Sequence, residues 1–273
     1  MNEQENQKSH FSRTIAIASG KGGVGKSTVA VNVAIAIARN GNSVGLLDAD
    51  VYGPNCHMMM GVKFLPPPQG KTLVPAMAHG VKVISMGLLV GENQPLAWRG
   101  PMLHSAIRQF VEDVEWGDLD YLIVDLPPGT GDAQLSVSQT LSLTGGFIVT
   151  LPQAVSLADA RRGLELFKQL HVPVLGIVEN MSYLITPKGE RLDVFGQGGG
   201  EQLAKDTGVD FIGNIPLDPE VRVGGDNGNP IVISQPKSQA AISLIGIAED
   251  IARISTTQSE AQKNNSIPIE IIE

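Results

Sequence analysis

Five short runs along the chain are apolar at nearly every position: residues 14–19 (TIAIAS), 43–50 (SVGLLDAD), 121–127 (YLIVDLP), 147–152 (FIVTLP) and 174–180 (VLGIVEN). Such runs lack the polar alternate face of an exposed sheet, so they read as strands covered on both sides. Helix-like segments separate them at 26–40, 101–114, 132–142, 157–170 and 198–207, and a last one spans 237–254. The alternation predicts βαβ units, and hence a three-layer α/β fold with a mostly parallel sheet between helices on both faces. Residues 71–90 break the rhythm. Behind a stiff proline triplet at 66–68 they read as two short strands around 78–80, an inserted β-hairpin at one edge of the sheet.

The turn between the first run and the first helix supplies candidate chemistry. SGKGGVGKST, at 19–28, satisfies G-x-x-x-x-G-K-[ST] through Gly20, Gly25, Lys26 and Ser27, and it lies between a strand and a helix as a phosphate-binding loop must. Glycines let the backbone curl so that successive amides point at phosphate oxygens, and the helix behind adds about half a positive charge. The expected contacts to ATP are Gly20, Gly22, Gly23, Val24, Gly25, Lys26, Ser27 and Thr28. Lys26 is expected at the β- and γ-phosphates, and the Ser27 hydroxyl on Mg²⁺. Lys21 is a second lysine in the same loop, placed where it cannot easily touch those phosphates.

Carboxylates follow at two strand ends. Asp48 and Asp50 close the second run, where a carboxylate can order the attacking water and support the Mg²⁺ shell; Asp125 closes the third, as a Walker B residue does. Three such groups beside a phosphate loop sit where open α/β sheets bind ligands. The turn after Asp125, Gly129-Thr130-Gly131, suits a segment that moves when the γ-phosphate leaves.

Composition narrows the setting. With 20 Lys and Arg against 28 Asp and Glu the net charge is −8, which disfavours nucleic acid as a partner. The single cysteine, Cys56, rules out an intrachain disulfide and favours a reducing compartment. There is no apolar stretch long enough to span a bilayer, and the first residues are polar, so a cytoplasmic protein without a membrane partner is expected. Residues 1–12 read as a disordered N-terminal tail, 13–255 as one ATPase domain, and 256–273 as a C-terminal tail that is disordered or adds an edge strand to a neighbour.

GKGGVGKST resembles the deviant Walker A motif of the MinD, ParA and nitrogenase iron protein class. DADVYGPN, WRGPM, DYLIVDLPPGTGDAQLS, ADARRG, VPVLGIVENMS and IPLDPEVRVGGDNGNP, taken in order over about residues 13–254, resemble the Mrp/ApbC branch of iron–sulfur cluster carriers. The class resemblance implies an ATP-bridged homodimer in which Lys21 reaches the partner's nucleotide, so that Lys21, Lys26, Asp50 and Asp125 form the catalytic set. It also implies adenine recognition by Asn180, with Pro216 and Asp218 in the segment that closes over the base, and Mg²⁺ held near Ser27, Asp48 and Asp125. The branch implies a [4Fe–4S] cluster passed to apo-proteins.

The sequence departs from that branch where its C-x-x-C pair is usual: residues 184–200 read LITPKGERLDVFGQGGG, without cysteine. Thr186 or Lys188 cannot stand in for soft thiolates. Cys56, next to His57, is left as either a small apolar thiol packed under the nucleotide loop or part of a mixed Cys/His iron–sulfur site across a two-fold. Met58 to Met60 read as packing, and His10, His79, His104 and His171 lie at no metal-ligand spacing. Two functions stay open: an ATPase assisting cluster assembly or transfer, and a nucleotide-switched scaffold that positions a partner protein. A membrane-bound version of the latter would need a basic amphipathic C-terminal helix; AAISLIGIAEDIARIS offers only Arg253 against Glu249 and Asp250.

Overall fold

In the computed structural model, which describes residues 11–89 and 100–265, strands and helices alternate throughout. The order is β1 (Phe11–Ala18), α1 (Lys26–Arg39), β2 (Val44–Asp48), α2 (Cys56–Met59), β3 (Ala76–Ala78), β4 (Val81–Ser85), α3 (Met86–Leu89), α4 (Gly100–Glu112), β5 (Leu119–Asp125) and α5 (Asp132–Thr140). Then follow β6 (Gly145–Thr150), α6 (Ala154–Gln169), β7 (Val174–Glu179), β8 (Leu184–Ile185), β9 (Arg191–Leu192), α7 (Gly199–Thr207), β10 (Phe211–Asn214), α8 (Pro219–Asp226), α9 (Ile231–Ser234) and α10 (Gln239–Asn265). His10, Trp98 and Arg99 of the WRGPM segment and the terminal IPIEIIE lie outside the described residues.

Eight strands form one sheet in the order β10-β7-β6-β1-β5-β2-β4-β3, parallel except for β3 at the edge. The expected parallel three-layer fold is present. The hairpin at 76–85 is at the sheet edge as expected, but it is less of an insertion than the sequence suggested. Its second strand, β4, runs parallel to β2 along all five residues, with Asp48 beside Ser85. β10 is a further strand that the apolar pattern missed, because FIGN is only four residues and half buried.

Strand residues alternate between two cores, which is why the runs are apolar throughout. In β1, Ile15 and Ile17 face α1 and α10, whereas Ala16 and Ala18 face the layer of α4, α5 and α6. α4 follows the same logic with a one-sided stripe: Leu103, Ile107 and Phe110 are buried, and Met102 is exposed. α1 is buried from Val29 to Ile37 because the sheet lies on one side and α10 on the other.

α10 runs well past the segment expected to end at residue 254, taking up the first ten residues of the expected C-terminal tail. Its last turns hold the start of the sheet: the Tyr121 hydroxyl lies 3.2 Å from Thr256 Oγ1, Ser259 Oγ donates to the Ser12 carbonyl at 3.5 Å, and Gln262 Nε2 donates to the Thr144 carbonyl at 3.2 Å. Polar residues of that segment face β1 and its neighbours and find partners there, so a polar composition did not mean a free tail.

Strand register between β2 and β5 is pinned at their first residues. Ser43 N and Oγ each donate to Asp120 Oδ2 at 2.8 Å, and Asp120 N donates to Ser43 Oγ at 2.9 Å. These bonds, the backbone one foremost, hold the Asp120 carboxyl below its usual range. Asp120→Asn is expected to lower stability by about 0.5–1 kcal/mol after solvent screening, read as a fall in urea midpoint with unchanged m. Because the folded-state value is depressed, this difference is full at neutral pH, shrinks as pH falls through the ordinary carboxylate range, and vanishes below it.

Candidate nucleotide site

The phosphate loop and the three candidate carboxylates lie at the carboxyl ends of β1, β2 and β5, which are adjacent in the sheet. The loop after β1 turns through two glycines in left-handed conformation, Gly23 and Gly25 (φ 80° and 84°). Gly25 is doubly constrained, since a Cβ there would also come within 2.1 Å of Asn180 Nδ2. At Gly20 a Cβ would meet the Asp159 carbonyl at 2.0 Å, so α6 can pack against the loop only because glycine stands there.

Four of the expected residues converge beneath this loop. Lys26 Nζ lies 2.7 Å from Asp125 Oδ1 and 3.7 Å from Asp50 Oδ2, and Ser27 Oγ donates to Asp125 Oδ2 at 2.6 Å. Burial alone would lower the lysine's pKa; the charges of Asp125 and Asp50 outweigh it, and the net direction is upward, so Lys26 stays an ammonium. Asp50 Oδ1 accepts from Tyr52 N and Gly53 N, leaving its other oxygen toward the cleft. Lys21 lines the same open cleft of about 360 Å³, together with Asp50, Tyr52 and Pro128. Gly129, in the turn after β5, donates its N–H to the Ser19 carbonyl at 2.9 Å, a direct link between the two loops.

Asp48 is placed differently from a solvent-facing metal ligand. Its Oδ1 accepts from Asp50 N at 3.2 Å, and its Oδ2 accepts from Cys56 N at 3.0 Å and Ser85 Oγ at 2.8 Å. Burial and then the nearby Asp125 charge push its pKa up to about 7, against the bonds from Ser85 and Cys56. The carboxyl thus fixes the Asp50 loop, α2 and β4 to one another. Ser85 was not foreseen; a lone strand-end serine carries no motif, and only the parallel pairing of β4 with β2 gives it a role. Behind it, His57 Nδ1 lies 3.1 Å from Ser85 Oγ.

A second cavity, of about 470 Å³, opens beside Thr28 and gathers Asn180, Pro216 and Asp218 with Met59, Met181 and Leu244. The three residues expected at the adenine are therefore neighbours. Asn180 Nδ2, however, donates to the Val24 carbonyl at 2.9 Å, bracing the phosphate loop, and Asp218 Oδ1 caps α8 by accepting from Glu220 N. Leu244, which α10 contributes to this cavity, had no signal in any motif.

The residues fit ATP and Mg²⁺: the loop offers amides and an ammonium, and Ser27 with Asp125 offers hard oxygen ligands. They do not fit a [4Fe–4S] cluster. Such a cluster takes four thiolates, and two copies of this chain bring two thiols. Cys56 is 0 % exposed, and its Sγ lies 3.4 Å from Asp125 Oδ2. Burial, then the Asp125 and Asp48 charges, raise its pKa, so it is a sealed thiol. His57, the expected neighbour of Cys56 in a mixed Cys/His site, turns its Nδ1 to Ser85 Oγ within this chain. Where the C-x-x-C pair is usual, β8 and β9 form a small hairpin over which Arg191 stacks on Tyr183.

No helix among the described residues is long and apolar enough to cross a membrane. Residues 10–252 match the family model described as NUBPL iron-transfer P-loop NTPase, of the ParA group. An iron–sulfur cluster carrier protein from Synechocystis is 57 % identical over 245 residues, 87 % of this chain and 69 % of that protein. Among solved structures, a nucleotide-binding protein from Archaeoglobus fulgidus in complex with ADP is 36 % identical with a TM-score of 0.73, covering 84 % of this chain and 90 % of its own. The cell division ATPase MinD of Pyrococcus furiosus, at 23 % identity and TM-score 0.71 over 89 % of this chain and 99 % of its own, shares the fold. By the extent of these matches, the chain belongs to the ParA/NUBPL family of iron-transfer P-loop NTPases.

Proposed function

We propose that the chain binds and hydrolyses ATP with Mg²⁺, pairs with a second copy across the nucleotide, and serves iron–sulfur cluster assembly or transfer to apo-proteins. The observation that carries this reading is the convergence of Lys26, Ser27, Asp50 and Asp125 under one glycine loop, in a chain so similar to named cluster carriers. Lys26 leaves Asp125 for the β- and γ-phosphates when nucleotide enters. Ser27 and Asp125 would hold Mg²⁺, which would supply charge neutralisation of the phosphates. Asp50 orients the attacking water for in-line displacement. Lys21 reaches the partner's nucleotide, where it neutralises charge developing on the transferred group.

The cluster is cargo in this reading, and its ligands come largely from the client or a donor protein, since the chain has no four-thiolate cage. The lack of thiols also favours a second reading, a nucleotide-switched scaffold that positions a partner without touching iron. Activation of an apo-protein separates the two. Transfer that speeds on addition of this chain and ATP supports the first; a client bound without any gain in cluster loading supports the second.

Lys26→Ala is expected to weaken ATP binding by about 2–5 kcal/mol, read by calorimetry, with thermal unfolding on the same sample to separate loss of binding from loss of fold. Retained affinity would overturn the phosphate-loop assignment. Lys21→Ala should leave monomer affinity for ATP near wild type and lower turnover on the order of 100-fold, with less ATP-dependent dimer by sedimentation. Anaerobic reconstitution of the chain alone with iron and sulfide should leave well under four irons per dimer. Four irons with matching sulfide would mean that ligands beyond the two Cys56 thiols complete the cluster.

A further inference from the structure

We propose that Asp48, Cys56 and Asp125 form a binding site for one thiophilic divalent cation, of the zinc, ferrous or cobaltous class, buried where the ends of β2 and β5 meet the start of α2. The site is distinct from a cluster and needs no hydrolysis to operate. The three residues come from the end of β2, the first residue of α2 and the end of β5, and each offers a ligand atom within 4.8 Å of the other two. Cys56 Sγ is already 3.4 Å from Asp125 Oδ2. Zinc bonds of about 2.3 Å to sulfur and about 2.0–2.2 Å to oxygen span the Cys56–Asp125 separation as it stands, and the Asp48 oxygen closes inward to complete the set.

Two further observations point the same way. Asp48 is held from behind by Ser85 Oγ and by the N–H groups of Asp50 and Cys56, with His57 supporting Ser85, which is the outer-shell arrangement that orients a ligating carboxylate. The buried charges also fail to cancel. Three buried carboxylates, Asp48, Asp50 and Asp125, face one buried ammonium, Lys26. A dication entering there offsets the excess of negative charge. Magnesium would use the oxygens but gains nothing from sulfur, so Cys56 sets the preference for softer ions. Ser27 Oγ, 2.6 Å from Asp125 Oδ2, or a solvent molecule is at hand for a fourth position.

The sequence makes the test clean, because Cys56 is the only cysteine in 273 residues and any thiolate-to-metal absorption must arise from it. The full chain, reduced, stripped with chelator and kept anaerobic, is titrated with Co²⁺ and followed by near-ultraviolet charge-transfer and visible d–d absorption. The expected result is saturation at one Co²⁺ per chain with a charge-transfer band that excess Mg²⁺ leaves in place. Cys56→Ser removes the band, and Asp48→Asn keeps it at saturation but weakens affinity by about tenfold or more. No band in the folded wild type, a band that Mg²⁺ displaces, or wild-type affinity in Asp48→Asn would overturn the proposal. Should the variants not fold, thermal unfolding of the wild type with Zn²⁺ decides it. A rise in Tm that follows mass action supports the site, and no rise at saturating ion sinks it.

Discussion

The structure turns on a buried ion pair, Lys26 with Asp125, that joins the first turn of α1 to the end of β5. A lone ammonium or carboxylate at that depth would cost several kcal/mol. Paired, each makes the other tolerable, and the cost of burying them is kept as a latent preference for phosphate and cation. A ligand that offers phosphates to the lysine and a cation to the carboxylate replaces one satisfied arrangement with another. The parallel neighbours β1 and β5 bring the two side chains together, and Gly25 lets the chain turn closely enough above them.

The chemistry of this centre was legible because it is local. Gly20, Gly25, Lys26 and Ser27 are fixed by spacing alone, and Asp50 and Asp125 end runs whose continuous apolarity marks them as internal strands. What could not be read was pairing across distant segments. Ser85 matters through its neighbour Asp48, 37 positions away. Asn180 braces Val24 from 156 positions away. Neither relation leaves a pattern in the chain. The last third of α10 was missed for a related reason: its Thr, Ser and Gln residues look like linker, yet they find carbonyl and hydroxyl partners on the sheet.

The departure from cluster carriers is narrower than the absence of two cysteines suggests. The hairpin of β8 and β9 remains a folded element, with Tyr183 and Arg191 stacked and Ile185, Leu192 and Val194 on its outside. The one thiol lies instead against the carboxylate that serves the nucleotide. Soft and hard ligands are therefore gathered at one centre in this chain, where a hairpin C-x-x-C pair would add thiolates at a second.

The clasp between the final turns of α10 and the first strand sets a condition on biosynthesis. Ser259 meets Ser12 across 247 positions of sequence, and α10 lies over the α1 layer that backs the phosphate loop. A ribosome delivers the loop early and its cover late. Until the covering helix emerges, the nascent chain carries a strand with exposed edges and a loop without support, the kind of segment that chaperones hold and that aggregates when they do not.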